Sequence, residues 1–254
     1  MDFFFKKVKW LGDYYGNPTA YYPLKTPGVT TILSTIPDPD YESFVKDVGE
    51  EKAKVITQGA WDRGTALHTF LEHFIIELAK SKDPSKALQY TQVTSNKLLK
   101  DQNIPSDKID KGRDLFFNFY YSDYANTYID LIGTELNLYS PSLFYRGKAD
   151  VFFKESYFGR VITDFKTSSK PVEKGTVKER KYKLQLGAYA LAAEHMFKNQ
   201  NVNINKASIL VIQTNSTLIQ EICCIDEDLK NQKNEFSKLV KQWHIDNNQD
   251  FLFN

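Results

Sequence analysis

The sequence predicts an α/β fold of the α+β type, a mixed sheet flanked by helices. Apolar residues recur at helical spacing over 57–79, where Leu67, Leu71, Phe74, Ile75 and Leu78 share one face. Three runs of strand character follow at 133–139, 145–154 and 160–166. A helical run at 182–197 then precedes strands at 207–214 and 218–225, so the order reads α, β-β-β, α, β.

In chain order, the first fifty residues are turn-rich, punctuated by Asn17-Pro18, Tyr22-Pro23, Thr26-Pro27-Gly28 and Pro37-Asp38-Pro39. Within them, residues 29–36 suit a short helix and a strand equally. From about Tyr41 the pattern is helical. A polar segment at 80–107 separates the long helix from a second one at 108–129. After the three strands comes a basic loop, and the chain closes with a helix at 227–245. No internal repeat or low-complexity tract is present. The expected organisation is a single domain over 1–254. Its mostly helical portion, 1–107, is placed to arch over a core formed by 108–254.

The 254 residues are 41% hydrophobic and 26% charged, enough to bury a substantial core. A net charge of +1 rules out a globally basic surface, so nucleic-acid binding would have to come from local clustering. Cys223 and Cys224, adjacent on one strand, suit a reducing compartment and are too few to hold an iron–sulfur cluster. No apolar run reaches the ~20 residues that span a membrane. The opening MDFFFKKVKWLGDYYG lacks a signal-peptide cleavage site and is too aromatic and acidic for a transit peptide. The expectation is an intracellular, cytoplasmic protein without a membrane partner.

The richest segment is YRGKADVFFKESYFGRVITDFK, residues 145–166. A turn centred on Tyr157 sets Asp150 opposite Asp164, where cross-strand Cβ atoms lie ~5 Å apart. Alternation places Asp164 and Lys166 on one face and turns Phe165 away. Two carboxylates can hold Mg²⁺, which keeps several waters and accepts phosphate oxygens. A lysine whose pKa burial has lowered could orient or deprotonate the attacking water, or offset transition-state charge. This chemistry is phosphodiester hydrolysis. A bare Asp-x-Lys triplet is more often a surface ion pair, so the further residues matter.

His68 lies in WDRGTALHTFLEHF with Glu72 one turn on, the spacing for a hydrogen bond that orients the imidazole. Its nitrogen would widen tolerance toward Mn²⁺. Gly64, costly in a helix, points to close approach by a backbone or ligand. His73 should face elsewhere. Gln185 and Tyr189 share a helix face, offering an amide to a metal-bound water or to Lys166 and a hydroxyl to phosphate. The run TSSKPVEKGTVKERKYK brings Thr167, Ser168, Lys170, Lys174, Lys178, Arg180, Lys181 and Lys183 together as candidate contacts to a DNA backbone, with Arg63 beside His68. The 15 tyrosines and 18 phenylalanines permit base stacking without nominating a stacker.

Together, Gly64…His68, Glu135, Gly147-Lys148-Ala149-Asp150, Asp164-Phe165-Lys166 and Gln185…Tyr189 resemble the RecB-like branch of the PD-(D/E)XK nucleases. The segments PGVTTIL (27–33) and RGTALH are most similar to the mitochondrial genome maintenance exonuclease and related phage exonucleases. The resemblance covers roughly 26–197. It implies a restriction-endonuclease-like αβββαβ core with added N-terminal helices, dependence on Mg²⁺ or Mn²⁺, and degradation of DNA from free ends, often as a single strand. By position it makes His68, Asp150 and Asp164 metal ligands, with the Phe165 carbonyl, and Lys166 the catalytic lysine. It assigns Gln185 and Tyr189 to the motif after the catalytic strand, and Glu135 to an acidic position of less uniform role. DNA replication and repair are processes such an exonuclease would serve. The chain departs from iron–sulfur members in lacking four cysteines. It also departs from the mitochondrial enzyme in showing no import sequence, which favours a viral or bacterial setting. A flap endonuclease and a catalytically idle DNA-binding scaffold are the competing readings.

Overall fold

Residues 26–198 and 201–249 are described by a computed structural model. The turn signals at Asn17-Pro18 and Tyr22-Pro23 lie outside the described residues. Residues 29–36, open between helix and strand, contain a short helix, α1 (Val29–Leu33). Next, α2 (Pro39–Val48) is started by Asp38, whose side chain accepts the Tyr41 N–H at 3.2 Å, and by proline in its first turn. Gly49, at φ +82°, turns the chain into α3 (Glu50–Ser81), which is longer than the periodicity predicts.

The polar segment expected at 80–107 is in fact α4 (Pro84–Asp101). Its buried stripe is Ala87, Thr91, Ser95 and Leu99, so two polar residues break the apolar period that would reveal it. Asp83 caps it, accepting the Ser85 and Lys86 N–H groups. The helix expected at 108–129 stops early. Helix α5 (Ser106–Tyr120) gives way to a 3₁₀ segment, Asp123–Asp130, begun by the Ser122 hydroxyl.

Strands β1 (Leu131–Ser140), β2 (Tyr145–Glu155) and β3 (Gly159–Ser168) are antiparallel neighbours. Helix α6 (Val177–Met196) carries the chain to β4 (Ile204–Gln213), parallel to β3, and β5 (Ile219–Ile225) returns antiparallel. The last element is α7 (Asp226–Asp246), and the sheet order is β1-β2-β3-β4-β5. The run α5-β1-β2-β3-α6-β4 matches the expected αβββαβ order. The last third of the expected basic loop, 177–181, belongs to α6, because Thr176 and Glu179 form a capping pair. Thr176 Oγ1 accepts the Glu179 N–H, and the Glu179 carboxylate accepts the Gly175 N–H at 2.6 Å.

Each sheet face packs on helices. Ala149, Phe152, Ile162, Ile209 and Val211 join α1, α6 and α7, whereas Val151, Phe153, Val161, Phe165 and Leu210 join α3 and α5. The second face is aromatic: Phe74 and Phe116 meet edge-on with centroids 5.5 Å apart, and each fully buried ring contributes roughly 1.5–3 kcal/mol. Gly112 lets α5 approach α3, since a Cβ there would sit 2.5 Å from Ala66 Cβ. This packing fixes α3, and with it His68, against the sheet. No described helix is long and apolar enough to cross a membrane.

Candidate active site

Strand β2 presents Asp150 between two other acids. The pairs Thr134↔Val151 and Leu136↔Ala149 bracket Glu135 opposite Asp150. On the other side, the β2–β3 ladder runs from Glu155↔Gly159 to Val151↔Thr163, so the same register carried one step further opposes Asp150 to Asp164. The ladder ends before that step and the strands part. The Phe165 backbone N–H donates instead to Asp150 Oδ2 at 2.6 Å. Asp150 Oδ1 lies 3.2 Å from His68 Nδ1, so a helix from one face holds the carboxylate's other oxygen.

Asp164 is held from the opposite face. Its Oδ2 is ion-paired with Lys166, and its Oδ1 accepts from Gln185 Nε2 at 3.2 Å. Gln185 also donates to the Tyr189 hydroxyl at 2.8 Å, and both residues are buried. The amide therefore serves Asp164 rather than Lys166. Gly147 makes room for this arrangement, because a Cβ there would sit 2.7 Å from Tyr189 Cε1.

One donor atom each of His68, Glu135 and Asp150 lies within 4.8 Å of the others, a spacing that fits a single cation. Asp164 lies outside this trio. Lys166 and Gln185 occupy its two oxygens. Glu135 is also conformationally special. Its φ is +50°, in the left-handed region that a non-glycine residue adopts at a cost, and it is ion-paired with Lys148.

Burial pushes the Asp164 carboxyl up, the charge of Asp150 adds to this, and Lys166 offsets only part, leaving a pKa of about 6. Burial acts on Asp150 in the same sense, but His68, Lys166 and the Phe165 N–H outweigh it and hold it below the usual carboxylate range. Desolvation would lower His68, yet Asp150 beside it leaves the imidazole above its ordinary value. Lys166 reverses an expectation. Burial pulls it down, but Asp164 and Asp150 together raise it above an ordinary lysine.

The trio opens into a cleft of ≈ 660 Å³, also lined by Trp61, Gly64, Glu72, Lys166 and Thr167. A family model of the PD-(D/E)XK nuclease superfamily matches residues 45–250. The chain belongs to this superfamily. Its mixed five-stranded sheet and helices agree with the restriction-endonuclease-like fold, and membership makes the chain a hydrolytic nuclease of a divalent-metal class acting on DNA. Among solved structures it is similar to an exonuclease candidate from Eubacterium rectale, 12% identical, with a TM-score of 0.44 over 75% of this chain and 68% of that one. It is also similar to the protein SSO0001, 13% identical, with a TM-score of 0.33 over 75% of this chain and 86% of that one. No curated protein matches it.

This superfamily member brings His68, Glu135, Asp150, Asp164, Phe165, Lys166, Gln185 and Tyr189 together and scatters the basic candidates. Thr167 lines the cleft, whereas Arg63 does not, and its Nε is buried without a hydrogen-bond partner. Lys178 donates to Ser168 Oγ at 2.9 Å. Arg180 pairs with Glu235 and Lys181 with Asp38, while Lys183 lies 3.6 Å from both Glu179 and Asp228. Lys170 and Lys174 stay exposed on the loop before α6. His73 faces away from the cleft, bonded to Ser95 on α4. Gly64 is approached by no other backbone. A Cβ there would meet nothing within 4 Å, so its helix surface is open to the cleft.

Sequence reasoning missed Trp61, Leu98 and Gln102 as cleft-lining residues. The signal for Trp61 was its seven-residue spacing from His68 on one helix face. Leu98 and Gln102 were hidden with the rest of α4.

Proposed function

We propose that this nuclease is a Mg²⁺- or Mn²⁺-dependent DNA exonuclease that hydrolyses phosphodiester bonds from free ends and prefers single strands. The observation that carries the reading is the donor trio of His68, Glu135 and Asp150 sharing one cleft with Lys166. One imidazole with two carboxylates suits a hard divalent ion and tolerates Mn²⁺. These three residues would hold it, with Asp164 and the Phe165 carbonyl as the further ligands that the family motif supplies. A bound ion of this kind lowers the pKa of a water and offsets charge on the phosphorane.

The chain's own groups do the rest. Lys166 donates to the water or to a non-bridging phosphate oxygen and stabilises developing negative charge. Gln185 orients the Asp164 carboxylate, and Tyr189 fixes the amide of Gln185. The Thr167 hydroxyl, in the cleft, is placed to donate to a phosphate. Lys170 and Lys174, exposed beyond it, extend the path for the DNA backbone. Arg63, Ser168, Lys178, Arg180 and Lys181 contribute charge or support at longer range. Helices α3 and α4 supply one wall of the cleft, and this reading assigns the arch to the helical portion before residue 107.

Digesting labelled linear and circular single-stranded DNA of equal sequence with Mg²⁺ tests the reading. It expects loss of the linear form and an intact circle. Cutting of the circle would replace the exonuclease by a structure-specific endonuclease on the same fold, and inertness toward both would leave the idle scaffold.

A further inference from the structure

Two walls line the catalytic cleft. The sheet supplies Glu135, Lys148, Asp150 and Lys166, whereas α3 and α4 supply His68 and Glu72 and, further along, the apolar Trp61 and Leu98. Trp61 is 66% exposed, unusual for a side chain whose large apolar ring is mostly buried in folded proteins. It lies seven residues before His68, two helical turns along the same face. Gly64 and the small side chain of Thr65 stand between them, and a Cβ at Gly64 would meet nothing within 4 Å, so no bulky group on the helix separates the indole from the imidazole. Leu98, 38% exposed, adds apolar surface from α4.

We propose that Trp61 is the base-stacking platform of this nuclease and the residue that selects unpaired nucleotides. The inference rests on the nuclease reading above and adds the feature of the substrate that is recognised. An exposed indole stacks on any base, because every base offers a π-face, and so it confers no sequence preference. In a duplex both faces of an internal base are already covered by its neighbours, so the platform engages only a strand whose bases can splay. Seven residues of helix span about 10 Å, at most about three nucleotides even at the ~3.4 Å rise of a stacked strand. The base on Trp61 therefore belongs to a nucleotide two or three positions from the phosphate that meets His68. Apolar recognition at Trp61 leaves His68, the sheet acids and Lys166 free for the phosphate.

The test measures binding of a labelled single-stranded oligonucleotide, the same strand with abasic sites, and its blunt duplex. The full chain is used in EDTA, so that no strand is hydrolysed. The Trp61→Ala variant is expected to bind the single strand about 5- to 100-fold more weakly than wild type, with Trp61→Phe recovering most of the loss. Abasic strand and duplex should bind wild type and both variants alike. Equal affinity of wild type and Trp61→Ala for the single strand overturns the proposal. So does an equal loss on the abasic strand, or no recovery by Trp61→Phe. Unchanged unfolding midpoints of the variants confirm that the exposed position tolerates substitution. Hydrolysis of the linear strand by wild type in Mg²⁺, measured beside these, reports separately on the nuclease reading.

Discussion

Asp150 accepts the backbone N–H of Phe165 at 2.6 Å, at the step where β2 and β3 part. One carboxylate thus serves the fold through Oδ2 and the donor trio through its position beside His68 and Glu135. Both Asp150→Asn and Asp150→Ala should lower hydrolysis by at least about 100-fold. They should differ in stability. The asparagine carbonyl can still accept the N–H, whereas alanine leaves it buried and unpaired, at a cost of about 1–3 kcal/mol. Urea unfolding of the two variants checks this, and equal midpoints would show that the N–H finds another acceptor.

Glu135 combines a left-handed backbone with a place in the trio. Glycine relieves the backbone and alanine does not, so Glu135→Gly should be about 1–2 kcal/mol more stable than Glu135→Ala. Neither should bind Mn²⁺ as wild type does. Thermal unfolding with calorimetric metal titration separates the two effects. An Ala variant as stable as the Gly variant would remove the strain.

Lys166→Ala should reduce hydrolysis by about 10²- to 10³-fold, the loss typical of one donor aimed at transition-state charge. Single-turnover rates on a linear strand measure it. Wild-type rates in the alanine variant would remove the mechanism.

Asp164 sets the acid side of the profile. Its folded pKa of about 6 is raised above the unfolded value, so its contribution to stability is present at low pH and lost as pH rises through about 6. Activity runs the other way, since a protonated Asp164 cannot serve as a ligand. Hydrolysis should therefore fall as pH drops through about 6, and more Mg²⁺ should move this limb to lower pH, as competition between proton and cation requires. A limb fixed at every Mg²⁺ concentration would exclude Asp164 from the metal site.

Local signals were legible where they are periodic. The hairpin turn centred on Tyr157 and the alternation of Asp164, Phe165 and Lys166 follow from a two-residue repeat, and the β2–β3 register bears them out. Helix α4 escaped because Thr91 and Ser95 occupy its buried stripe, and the early start of α6 escaped because a capping pair set it rather than apolar spacing.

By itself the sequence determined the αβββαβ order of the core, the chemical types at the site and the strand pair that carries Asp150 and Asp164, because these depend on neighbours a few residues apart. Only the tertiary structure decided which donors converge. His68 reaches Asp150 across 82 positions of sequence, Glu135 joins them through the β1–β2 register, and Asp164 is held by Lys166 and Gln185. The same packing brings Trp61 and Leu98, from two helices, into one cleft. The physical reason is that such meetings depend on how α3 and α6 pack on opposite faces of the sheet and on where two strands separate. No short-range pattern in the chain encodes either.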